Sequence, residues 1–157
     1  MKTNTDNFLK EFTILAFVQV VSERTVVNNR ETDLERRQRT GNELKDLGNK
    51  HFKAGEWAKA KEMYTSSICE YDQNPVVFTN RAQAEVRMGE FFAAQKDCEA
   101  AIKLKPDYTK AYVHLAKALK GLKEDKKAIE VLNIAESISQ DTIAVIQKYK
   151  DEICNSS

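Results

Sequence analysis

Small and apolar residues return along this chain at intervals of 34 positions. Ala60, Ala94 and Ala128 form one column, Gly48, Ala82 and Ala116 a second, and Ser67, Ala101 and Ala135 a third. Larger side chains keep the register in Leu44, Phe78 and Tyr112, and again in Tyr64, Cys98 and Leu132. Gly55 and Gly89 fall at the middle of the first two units, where a tight turn between two helices needs a conformationally free residue, and Lys123 takes that place in the third. The pattern predicts three helix-turn-helix pairs over 41–74, 75–108 and 109–142.

Local punctuation supports these boundaries. Asn74-Pro75 offers an N-cap followed by proline at the first helical position, and Pro106-Asp107 does similar work before the third unit. Thr40 with Glu43 has capping-box spacing, which places the first helix start at that point. After the last unit, Ile143, Val145, Ile146 and Tyr149 give 143–157 an apolar side suited to covering the open end of a repeat array. Before the first, 1–40 reads as a helical extension and linker. Its apolar run Phe12–Val21 is half a membrane span in length and implies a packing helix, with a signal sequence as the alternative. Phe8, Leu9, Phe12, Leu15 and Val18 leave apolar groups nearly all round it, so 8–21 is a candidate for docking on the array or on a second copy. The charged stretch Arg30–Arg39 reads as an extended helix or a linker.

Composition narrows the class. With 157 residues, 41% apolar, 31% charged and only two prolines, the chain has the balance of a soluble helical protein with one folded unit. Cys69, Cys98 and Cys154 are odd in number and far apart, so neither a disulfide framework nor a zinc site is implied, and a reducing, cytoplasmic setting fits. No glycine-rich phosphate loop is present and no His-Cys or His-carboxylate constellation is visible, so neither enzymatic activity nor a cofactor or metal is expected.

A helical pair of this length, with small residues at its eighth, twentieth and twenty-seventh positions, resembles the tetratricopeptide repeat. The resemblance covers about two-thirds of the chain. It implies an all-α right-handed superhelix of three repeats, with the C-terminal capping helix and the extra N-terminal helix added. On a helical wheel the fourth, seventh, eighth and eleventh positions of each repeat fall on the core side. The opposite, concave side then carries Lys45 and Asn49 from the first repeat, Asn80, Gln83 and Arg87 from the second, and Lys110, His114 and Lys117 from the third. With Glu43 and Asp46 near one rim, the central stripe is made of bases and amides, in a chain whose net charge is only +1. Such a stripe attracts anions.

The stretches LKDLGNKHF, FTNRAQA and KPDYTKAYVHLAKAL are similar to tetratricopeptide domains of co-chaperones, which hold a two-carboxylate clamp. That resemblance implies that Lys45, Asn49 and Asn80 hold the main-chain carboxylate of a peptide's last residue and that Lys110 holds the side chain of a terminal Asp. The fifth clamp position, usually Arg, is His114, for which a packing role weighs as much as a ligand contact. If charged His114 touches the peptide, affinity falls as pH rises from about 6 to 8. Gln83, Arg87 and Lys117 extend the peptide site, with Arg87 favouring a Glu. The implied partners are the acidic EEVD-type tails of Hsp70 and Hsp90, with no nucleic acid and no membrane. TNRAQA and TKAYVHLAKA also resemble the family of tetratricopeptide repeat domain protein twelve, which implies a role in cytosolic assembly of ciliary dynein arms. The alternatives are a structural repeat scaffold that binds a partner elsewhere and, less well supported because the groove lacks interleaved aromatics, an RNA-binding surface.

Overall fold

The structure, a computed structural model, describes residues 31–139 and 142–155. The proposed docking segment 8–21 lies outside the described residues. The described residues from Arg37 onward form one compact unit. The described residues form seven helices and no strand: α1 Asp33–Lys53, α2 Trp57–Glu70, α3 Pro75–Met88, α4 Phe91–Leu104, α5 Thr109–Gly121, α6 Asp125–Ile138 and α7 Ile143–Cys154. None is long and apolar enough to cross a membrane.

The small-residue columns explain the packing. Ala60, Ala94 and Ala128 are fully buried, as are Ala82, Ala101 and Ala135, so backbones approach where a larger side chain would hold them apart. Tyr64 and Leu132 fill the remaining space, and Leu132→Ala would cost about 2–5 kcal/mol. Each helix packs against the next from α2 to α7, and α3 also touches α5. Asn74 caps α3 by accepting from Val76 N at 3.0 Å, with Pro75 at the first position. The three turns share one conformation: Gly55 and Gly89 both have φ of 77°, and Lys123 is forced to 61° in the same place. The turn therefore survives without its glycine, under local strain.

Some expected details change. The first helix does not start at Thr40. It begins at Asp33, behind a capping box in which Thr32 Oγ1 accepts from Glu35 N at 3.2 Å and Glu35 Oε2 accepts from Thr32 N at 2.7 Å. The charged stretch is thus helical from Asp33, and Arg37 on it donates to the Cys69 carbonyl at 3.3 Å. Tyr108, not Asp107, occupies the cap of α5, without a side-chain bond. On α7, Ile146 is buried and Tyr149 packs on the core, but Val145 is 51% exposed. Leu47, in a core column, is also exposed.

An ionic cluster lies among α2, α3 and α4 where the wheel placed apolar positions. Arg81 grips Asp97 with two bonds of 2.6 and 2.7 Å and donates to Thr65 Oγ1 at 3.1 Å. Lys61 pairs with Glu90 and stands 3.7 Å from Glu85. Glu85 is buried and its Oε2 has no hydrogen-bond partner among the described residues. Burial first, and then the charge of Asp97, pushes its carboxyl up to about 7.

Candidate functional site

The site begins where α1 and α3 meet. Asn49 Oδ1 accepts two hydrogen bonds, from Tyr64 Oη at 2.9 Å and from Asn80 Nδ2 at 3.0 Å. With the oxygen engaged, the Asn49 Nδ2 group remains as a donor, and Asn80 keeps one N–H. One turn before Asn49 on the same face, half-buried Lys45 makes only loose contacts, 3.4 Å to Asn42 Oδ1 and 3.4 Å to the exposed Asp46 carboxylate. An ammonium held so weakly can move to a better anion at little cost.

The second part lies on α5. Lys110, in its first turn, is exposed and has no hydrogen bond or ion pair among the described residues. His114 is 8% exposed, and burial, then the charges of Lys117 and Lys110, hold its pKa down at about 3. The imidazole is therefore neutral across the physiological range. Of the two roles weighed for His114, packing and ligand contact, its burial fits the first, and a neutral ring still offers one N–H and one acceptor nitrogen.

His114, Gln83, Arg87 and Lys117 converge, with Phe52 and Val86, on a cavity of 520 Å³. Its two cations are each placed by an aromatic ring. Arg87 lies 5.6 Å from the Trp57 centroid, and Lys117 lies 4.4 Å from that of Tyr149 on the capping helix. Trp57 in turn meets Phe52 edge-on at 4.7 Å. Phe52, Trp57, Tyr64 and Tyr149 were not among the residues expected at the site. Tyr64 and Tyr149 gave a signal as apolar positions of the repeat and of the capping helix, and Phe52 as the last residue of LKDLGNKHF, whereas Trp57 gave none.

No protein-family model matches the chain. Human RNA polymerase II-associated protein 3 is 42% identical over 90 residues, covering 55% of this chain and 14% of that protein. The solved first tetratricopeptide domain of the human protein is 30% identical, with a TM-score of 0.70, over 74% of this chain and 91% of that domain. The chain belongs to the tetratricopeptide-repeat family. Mouse tetratricopeptide repeat protein 12 is 33% identical to it over 110 residues, which cover 70% of this chain and 16% of that protein. This tetratricopeptide chain thus spans only a small part of the curated relatives it matches. Among similar structures is the first such domain of Spaghetti, bound to the HSP90 peptide SRMEEVD, with 29% identity and a TM-score of 0.71 over 76% of this chain and 94% of that one.

Proposed function

We propose that this chain is a co-chaperone-like adaptor that binds the acidic C-terminal tails of Hsp70 or Hsp90 by clamping both carboxylates of a terminal Asp. Lys45, Asn49 and Asn80 take the main-chain carboxylate and Lys110 the side-chain carboxylate. His114 donates one neutral N–H, while Gln83, Arg87 and Lys117 meet the preceding residues.

The observation that carries this reading is the double bond onto Asn49 Oδ1. It leaves amide donors beside Lys45, a set matched to a carboxylate and mismatched to a neutral amide or a cation. The peptide-bound Spaghetti domain, similar over three-quarters of this chain, adds support. A chain ending in Asp offers two carboxylates a few ångströms apart, which an internal Asp cannot do.

The test is a titration with SRMEEVD as free acid and as C-terminal amide, followed by the fluorescence of Trp57, the single tryptophan. A strong preference for the free acid is expected. Equal binding would reduce the chain to a scaffold that engages its partner elsewhere. The cellular setting in this proposal is the cytoplasm, in assembly of ciliary dynein arms, supported by the resemblance carried by TNRAQA and TKAYVHLAKA. Intact dynein arms in cilia lacking the protein would remove that part.

A further inference from the structure

An asparagine serves a carboxylate with one end only, since Nδ2 donates and Oδ1 repels. The two ends have nearly the same shape, so the surroundings must choose between them. The Asn49–Asn80 pair cannot choose alone. If both amides turned over, Asn49 Nδ2 would donate to Asn80 Oδ1, and the bond would be remade in the opposite sense.

Tyr64 breaks this symmetry. Its ring lies directly against α1 because residue 48 has no side chain: a Cβ on Gly48 would fall 2.5 Å from Tyr64 Cε1 and 2.7 Å from Cδ1. That seat brings the phenol to the neighbouring residue, where Oη is 2.9 Å from Asn49 Oδ1. Tyr64 is 1% exposed, and burial pushes its pKa up to about 12, so the proton stays on. With Asn49 turned over, Tyr64 Oη could only accept from Nδ2, and its own proton would lose the acceptor it has at Asn49 Oδ1, an unfavourable state for a buried donor.

We propose, on the basis of the clamp reading above, that Tyr64 is a positioning residue for the peptide site: through its hydrogen bond it holds the Asn49 amide with Nδ2 toward the groove, and so sets the preference for a carboxylate. Tyr64 never touches the peptide. Gly48 belongs to the same device, since it admits the ring.

Tyr64→Phe tests this, because it keeps the ring on Gly48 and removes only the hydroxyl. Free-acid SRMEEVD should bind about five- to tenfold more weakly. The amidated peptide should change less than about twofold, because a turned Asn49 can accept from the terminal amide N–H. The acid-over-amide ratio therefore falls by about the same five- to tenfold. In an Asn49→Ala background, the Tyr64 change should alter neither peptide. Equal losses for both peptides would show a merely structural role and overturn the inference, as would an unchanged ratio or a persisting effect in the Asn49→Ala background. Wild-type protein without acid preference would remove the clamp reading and this inference together. Wild-type preference with an unchanged Tyr64→Phe ratio would remove this inference alone.

Discussion

The two ends of the groove differ in what they could offer an anion. Between α1 and α3, Lys45, Asn49 and Asn80 form an oriented set of dipoles plus one loosely held cation, fixed from behind by a buried phenol. On α5, Lys110 is an exposed charge and His114 a buried neutral ring, with Lys117 resting on Tyr149. In the proposed clamp, the two amides of the first end would discriminate by hydrogen-bond polarity, which salt hardly touches, while Lys45 and the cations of α5 would attract by charge, which salt screens.

Removing the cations should break both ends at once. Lys45→Ala and Lys110→Ala are each expected to weaken free-acid peptide binding by about 30-fold or more, about 2 kcal/mol, with helicity by circular dichroism unchanged. The salt response then separates them: Lys110→Ala should flatten the dependence of affinity on ionic strength, whereas Asn49→Ala should weaken binding and leave that slope intact.

Gly48→Ala attacks the first end through the fold. The new Cβ would collide with the Tyr64 ring, so a loss of about 1–3 kcal/mol in denaturant unfolding is expected, together with weaker peptide binding. Lys117→Ala, which removes only the contact with the Tyr149 ring, should cost about 1 kcal/mol or less.

Titration by pH sharpens the contrast. His114 has a folded pKa of about 3 against about 6.5 unfolded, so below about pH 6.5 the unfolded chain binds the extra proton and stability falls on acidification. Glu85 has the opposite sign: raised to about 7 from the ordinary 4.5, it contributes stability below pH 4.5 that is lost as pH rises through 7. Each group contributes up to about 1.4 kcal/mol per pH unit within its window. Urea midpoints at pH 4, 6 and 8 should therefore show His114→Gln relieving the acid loss and Glu85→Gln relieving the neutral one. Peptide affinity itself should change less than about twofold between pH 6 and 8, since His114 stays neutral there. A change remote from both ends, Lys123→Gly, should raise stability by about 1 kcal/mol, by releasing the positive φ of the third turn.

The repeat could be read from the sequence because close helix packing demands small residues at fixed columns, and a column is a one-dimensional object. The groove face followed from the same wheel, since its side chains come from successive first helices. What sequence reading missed depends on pairs across helices. Glu85 and Asp97 are buried because Arg81 and Lys61 come from neighbouring positions in space, 16 residues away in the case of Arg81 and Asp97. Tyr64 reads as core filler until its hydroxyl is seen at Asn49. His114 lies on the expected face, yet its burial is set with neighbours on α1 and α3 around the cavity, which the wheel of one helix cannot show. The helix start was misplaced at Thr40 because Thr32 and Glu35 have the same spacing and lie in a charged stretch without an apolar period to favour either.

The central claim is that a chain-terminal carboxylate lies against Asn49 and Asn80. The side-chain amide resonances of these two residues, followed by ¹⁵N-detected nuclear magnetic resonance during addition of SRMEEVD, test it most directly. Both should shift with the free acid and stay in place with the C-terminal amide at equal concentration. Saturable binding of the free acid that moves resonances on α4 or α6 and leaves both amides unchanged would contradict it.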